Sequence, residues 1–234
     1  MYAVKPFIQE KIKEKDRRRR VLAIVGDTQV GLWVVRNLAM NGLTVHSIVK
    51  SKYGQPANSR YSSSAWVMES PTYSPGFIDE IKELVKLLNV GSIMPVAEGY
   101  HNVLIDVRDQ FEPDVHLFSP ARDVFDKATD KDYMQDLCQK LGVPVAKGMC
   151  LDQFMSDQKA LKFPLVFRTR RQNQGRQAPW KAAYAENEVQ LRKVYDQVRD
   201  FADNIIVQEY CPGAEDHVQV MMYKGEPFMV GDYI

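Results

Sequence analysis

The chain has 234 residues, 45% of them hydrophobic and 26% charged, with a formal net charge of +1. These values fit one large or two small folded domains with a real core. They exclude a disordered chain and a general nucleic-acid binder, which would carry a clear basic excess.

Three cysteines, Cys138, Cys150 and Cys211, with no CxxC pair point to reduced thiols and a cytoplasmic setting. No run is long and apolar enough to span a bilayer. Residues 1–20 read as a basic N-terminal extension without the apolar stretch of a secretory signal, and Arg17 to Arg20 fit a solvated flank. Val21 to Val25 is a short apolar run, as in a buried parallel strand. Gly26 opens a turn, and Leu32, Val35, Leu38 and Ala39 recur at helical spacing. Gly42 closes that helix, and Thr44 to Val49 forms the next strand. This β-α-β unit predicts a Rossmann-like parallel-sheet domain over residues 21–120. Its turn, Gly26-Asp27-Thr28-Gln29-Val30-Gly31, does not complete the dinucleotide fingerprint. Thr28 replaces the middle glycine, and Lys50 stands where an acid would bind ribose. An NAD(P)-dependent oxidoreductase is therefore only a third reading.

Ala65 to Met68 reads as a third strand, and Phe77, Ile78, Ile81, Leu84, Val85 and Leu88 as one face of a helix. Ser92 to Val96 is a fourth strand, followed by a helix from about Tyr100 to Phe111 and the strand-like VHLFSP. Glu98 lies just past the fourth strand, at the sheet edge where open α/β folds bind ligands, and is a candidate substrate contact. Its structural alternative is a helix N-terminal acid favoured by the dipole.

In TDKDYMQDLCQKLGVPVAK, Met134, Leu137, Cys138 and Leu141 form an apolar helical stripe, with Thr129 or Asp130 as cap and Gly142 and Pro144 as stop. Lys131 falls in the first turn, where a cation is unfavourable unless an anion stands nearby; an exposed lysine is the bland alternative. Phe163 to Phe167 reads as a strand running into the cationic, amide-rich RTRRQNQGRQ. A strand from Trp180 to Ala185 follows, then a helix whose Val189, Leu191, Val194, Tyr195, Val198 and Phe201 are mostly core. The strand Asn204 to Tyr210, the turn CPGAED and the strands HVQVMMY and PFMVGDYI end the chain. A final apolar strand left as an open edge fits a missing partner segment or a homodimer.

Three motifs now stand in order: DKxxM…LGVPV, PLVFR and VQEYCPGAE. With NSRYSSSAWV and IMPVAEGY in the front half, they resemble the ATP-grasp superfamily, in particular its carboxylate–amine ligases. The resemblance implies an α/β architecture: a Rossmann-like parallel-sheet domain in front of an incomplete ATP-grasp α+β domain over 121–234, with a lid at about 145–210. The implied activity joins a small-molecule carboxylate to an amine through an acylphosphate, with ATP and Mg²⁺ as cofactors and neither nucleic acid nor membrane as partner.

Residue by residue, Lys131 matches the lysine that reaches the ATP phosphates, and Arg168 matches the lid-strand lysine; both are implied to be catalytic. Gly175, in QNQG, stands in the place of the phosphate flap. Gln208, Glu209, Tyr210 and Cys211 match the hinge along the adenine edge, and Glu215 the acid that holds the ribose hydroxyls. Arg170 shares the strand face of Arg168 and joins Glu98 as a weaker substrate candidate, whereas Arg171 and Arg176 read as solvated or substrate-facing. Arginine in the lysine's place still grips phosphate, as a planar bidentate donor. The family's metal ligands lie on strands beyond Glu215. Neither Glu226 nor Asp232 fits that pattern, so no metal ligand is assigned and the chain reads as the front part of a longer protein. These departures support the alternative of a non-catalytic ATP-binding or scaffolding protein.

Overall fold

The computed structural model describes residues 1–5, 14–111, 113–171, 180–214, 216–223 and 225–233. Two compact units form: Met1–Met134 with Arg171, and Gln135–Arg170 with the chain from Trp180.

In the first unit, the strands are β1 (Tyr2–Lys5), β2 (Arg20–Ile24), β3 (Thr44–Val49), β4 (Ser64–Val67), β5 (Ser92–Pro95) and β6 (His116–Leu117). They form one sheet in the order β1-β4-β3-β2-β5-β6. β2 to β6 run parallel, and β1 lies antiparallel on the β4 edge. The helices are α1 (Gln29–Met40), α2 (Pro75–Leu87), α3 (Glu98–Ile105) and α4 (Arg122–Thr129). Alternation along β2 builds a core on each face. Leu22 and Ile24 pack with Ile48, Ile93 and the α2 residues Ile81 and Leu84, while Ala23 and Val25 pack with Val35 of α1, Val45 and Ala65. A parallel sheet covered on both sides reads as continuous apolar runs, which is why β2 and β3 are legible.

The basic flank differs from its expected solvated state. Tyr2–Lys5 adds a strand, and Lys5 Nζ donates to the carbonyls of Ser59 and Ser62. Arg17 donates to the Val90 carbonyl at 3.2 Å and pairs with Asp114 at 2.6 Å. Arg20 is buried and donates to the Leu88 carbonyl at 2.9 Å. Carbonyls in the connections before β4 and β5 need donors, and these cations supply them. Arg18 and Arg19 remain exposed. The helix expected from Tyr100 starts earlier, at Glu98, and ends at Ile105.

In the second unit, β7 (Gly148–Cys150), β8 (Leu165–Thr169), β9 (Ala182–Ala185) and β10 (Ile205–Glu209) form an antiparallel sheet in the order β7-β10-β8-β9. α5 (Lys131–Lys140) begins in the first unit and continues in the second; α6 (Leu151–Ser156) and α7 (Glu188–Val198) follow. Leu165, Phe167, Ala185, Ile205 and Val207 on one sheet face pack with Phe154, Leu191 and Val198 of the helices. β11 (His217–Tyr223) and β12 (Glu226–Tyr233) pair with each other as a two-stranded sheet. Its register puts Val218, Val220, Met222 and Val230 on one face, all exposed.

His46 of β3 is fully buried, with Nδ1 2.8 Å from Ser64 Oγ. Burial first, and then the charge of Arg20, lowers its pKa from 6.5 to about 4. The folded chain therefore refuses a proton that the unfolded chain takes up below pH 6.5. This contribution is complete above pH 6.5 and is lost as pH falls toward 4, by about 3 kcal/mol in all. Urea denaturation at pH 7 and pH 4.5 should show a larger loss for the wild type than for His46→Gln, and equal losses would refute the assignment.

Candidate functional site

β2 lies between β3 and β5, so the chain leaves it in one direction and later returns on its other side. Such a switch point opens a crevice at the carboxyl ends of the strands. A cavity of about 430 Å³ lies there, lined in part by Gly26, Thr28, Lys50, Tyr73, Ala97 and Tyr100. Gly26 has φ +59°, and a Cβ on it would come 3.6 Å from Tyr100 Oη and 3.8 Å from Lys50 Cε. Thr28 Oγ1 accepts from the Gly31 N–H at 3.0 Å and caps α1. A Cβ at Gly31 would lie 2.7 Å from the Val25 carbonyl, so this glycine sets the close approach of helix and strand. Asp27 accepts from the N–H groups of Lys50 and Ser51 and from Ser51 Oγ. Thr28 thus closes the turn locally, and Asp27 ties it to the chain leaving β3. A dinucleotide turn would instead have a bare glycine in the place of Thr28.

Glu98 opens α3, where the helix dipole favours an acid. Burial pushes its carboxyl above the ordinary range, and the charge of Lys131 opposes that shift. Burial also raises Tyr73 and Tyr100, helped by the charges of Glu98 and Asp27 respectively.

Lys131 is the first residue of α5. Asp130, before it, is 1% exposed. Its Oδ1 accepts from the N–H groups of Asp132 and Tyr133 at 3.0 and 3.3 Å. Its Oδ2 accepts from Arg171 Nε and Nη2 at 2.9 and 2.6 Å. Asp130 is therefore the cap, while Thr129 bonds back to the Phe125 carbonyl at 2.8 Å. Arg171, expected to be solvated or substrate-facing, is committed to Asp130, because a buried carboxylate needs a cation. The same carboxylate is the anion that makes a lysine tolerable in this first turn.

In the second unit, strand alternation puts Val166, Arg168, Tyr184, Ile206 and Gln208 on the sheet face opposite the core. Arg168 is exposed on it. Arg170 donates its N–H to the Asn204 carbonyl at 2.7 Å. At the end of β10, Gln208 Nε2 donates to Gln135 Oε1 at 3.0 Å, and Gln135 Nε2 donates to the Gly148 carbonyl at 2.8 Å. The Glu209 side chain turns to the other side and accepts from the Lys162 N–H at 2.9 Å. The N–H groups of Glu209 and Tyr210 donate to the carbonyls of Lys147 and Pro164, each at 2.8 Å. Cys211 follows, exposed. The Tyr184 and Tyr210 rings meet edge to face at 6.4 Å.

The expected apolar stripe of α5 is only half realised: Met134 is 38% and Leu141 70% exposed, and the buried residue of the helix is Gln135. Sequence reasoning missed Gln135 and the role of Arg171; an amide between two apolar turns was the available signal. Gly175, Arg176 and Glu215 lie outside the described residues. Among the described residues, no group of three His, Cys, Asp or Glu could hold a metal ion, and no helix is long and apolar enough to cross a membrane.

No protein-family model and no curated protein sequence matches the chain. Solved structures do. The ADP complex of N5-carboxyaminoimidazole ribonucleotide synthetase aligns with a TM-score of 0.65 at 14% identity, over 93% of this chain and 55% of that one. L-amino acid ligase from Bacillus licheniformis aligns with a TM-score of 0.65 at 13% identity, over 92% of this chain and 50% of that one. Biotin carboxylase from Campylobacter jejuni, in a beta-gamma-ATP complex, gives 0.63 at 15% identity, over 89% and 49%. The chain carries part of the ATP-grasp fold. It spans about half the length of these ATP-grasp structures. The expected α/β class is therefore the observed one.

Removing the Asp130 carboxylate orphans two helix N–H groups and the Arg171 guanidinium. Asp130→Ala should cost about 2 kcal/mol in urea denaturation, and Asp130→Asn, which can still cap, should cost less. Equal midpoints for Asp130→Ala and wild type would sink this role.

Proposed function

We propose that the full-length protein is an ATP-dependent ligase that joins a small-molecule carboxylate to an amine through an acylphosphate. The observation that carries this reading is the sheet face opposite the core, where Arg168 and Gln208 share one side and β10 leads into Tyr210 and Cys211. ATP, when bound, supplies the phosphoryl group that activates the carboxylate. Arg168 holds phosphate oxygens through its planar fork. Lys131, the first residue of α5, adds a second cation in this reading. Fixed cations of this kind act where negative charge develops during phosphoryl transfer.

The adenine edge falls to Gln208 and the backbone of Cys211, since the N–H groups of Glu209 and Tyr210 are used within the fold. Tyr210 offers its ring, and Glu209 holds the Lys162 end of the hinge. Gly175 as flap and Glu215 as ribose acceptor rest on the resemblance alone. The switch-point cavity, with Lys50 and Tyr100 in its wall and Glu98 beside it, takes a substrate, and Arg170 is the further substrate contact. Mg²⁺ accompanies ATP in this reading, but the described residues do not form a site for it and none is assigned. A cytoplasmic location and a homodimer complete the proposal.

A second reading, nucleotide binding without turnover, is favoured by Arg168 standing where the family has a lysine. Lys131→Ala and Arg168→Ala should each weaken ATP binding about tenfold or more in calorimetry, the loss of one charge-assisted hydrogen bond. ADP release on offering a panel of carboxylates and amines would establish the ligase. ATP binding without release would leave the second reading, and failure to bind ATP would remove both.

A further inference from the structure

We infer that Gln135 is a positioning residue that locks the side-chain amide of Gln208 with its oxygen turned outward, so that the nucleotide site accepts a 6-amino purine and rejects a 6-oxo one. This rests on the reading of β10 and Cys211 as the base-binding edge. The argument is a chain of donors and acceptors that begins at a group with no choice.

The Gly148 carbonyl can only accept. Gln135 must therefore present its NH₂ to it, as it does at 2.8 Å. That turns Gln135 Oε1 the other way, toward Gln208. Gln208 must then present its own NH₂, as it does at 3.0 Å, and its Oε1 is left as an acceptor. Gln135 is 6% exposed, so water does not relax the chain at that link. Gln208 is only partly buried and stands directly across from Gly148 in the β7–β10 pair. A Cβ on Gly148 would come 2.7 Å from Gln208 Cγ and 2.8 Å from both Gln135 Oε1 and the Val207 carbonyl. The bare glycine is what lets both amides meet over this strand pair.

An outward Oε1 accepts from the exocyclic amine of adenine. It opposes the O6 acceptor of guanine, and a site polar group left unpaired by the wrong ligand is a strong discriminator. An amide free to rotate would serve either base, because its two ends can exchange. The direction of the Gln135 side chain therefore decides the preference, although Gln135 itself touches no base.

The test is the ratio of MgATP to MgGTP affinity, measured by calorimetry in the full-length protein and in three variants at Gln135. The wild type should prefer MgATP by about thirtyfold, the value of one satisfied against one opposed hydrogen bond. Gln135→Glu, protonated where it is buried, donates to the Gly148 carbonyl and still accepts from Gln208, and should keep the ratio within about threefold. Gln135→Lys can only donate; it captures the Gln208 oxygen, turns the NH₂ toward the base, and should lower the ratio about tenfold, mostly through tighter GTP. Gln135→Met frees the amide without adding a buried charge and should also lower the ratio, which keeps the test available if the lysine variant fails to fold. A merely structural Gln135 would weaken both nucleotides in proportion and leave every ratio unchanged; that result overturns the relay while sparing the nucleotide site. A wild type that binds neither nucleotide overturns both.

Discussion

Side chains on a strand alternate between two faces, and the second unit depends on that division. One face of its antiparallel sheet is spent on the core of Leu165, Phe167, Ile205 and Val207. The other face is then free to carry Arg168 and Gln208, two strands apart in sequence but neighbours in the ladder. A shift of one residue in the β8–β10 register would bury Arg168 and expose the core, so folding and chemistry are tied to the same register. The fixed bonds around the hinge follow from it. Glu209 points to the core side of the strand and becomes a structural cap for Lys162, while Gln208 points to the working side.

Around Lys131, charge balance plays the part that register plays at the sheet. A lysine in a first helical turn opposes the dipole, and burying Asp130 beside it would be costly alone. The two difficulties offset each other once Arg171 is added. Asp130 meets two backbone N–H groups with one oxygen and the guanidinium with the other, so every unfavourable group has a partner. Glu98 belongs to the same balance, since its half-buried carboxyl is raised by burial and held down by Lys131. The result is a frame in which the buried Asp130 carboxylate is matched by the guanidinium and by two backbone donors.

Much of the fold was legible because strands buried on both faces read as continuous apolar runs and helices buried on one face read as a periodic stripe. The unbroken run of Val21 to Val25 and the spacing of Ile78, Ile81 and Val85 needed no tertiary information. What was not legible depended on contacts between distant residues. β1 has only four residues and lies beside a basic run, so its pairing with β4 leaves no periodic trace. The stripe of Met134, Leu137 and Leu141 looked like a core face, yet the residue that turns inward is Gln135, because its partners are a carbonyl and an amide brought from β7 and β10. Arg171 looked free because its acid lies far back in the chain. In the candidate site, the types of residue were readable from the motif order, but the division of the hinge into side chains that face a ligand and side chains that hold the fold required the ladder.

The sheet formed by β11 and β12 pairs with itself, and its apolar face, Val218, Val220, Met222 and Val230, is open. A lone two-stranded sheet is marginal in water. Resistance to exchange of amide hydrogens is therefore graded along the chain. The amides of β2 and β3, deep in a covered sheet, open only with the whole first unit, whereas those of β11 and β12 open locally and exchange early. Among the described residues, a protease would find the same gradient, with this hairpin opening before the covered sheets.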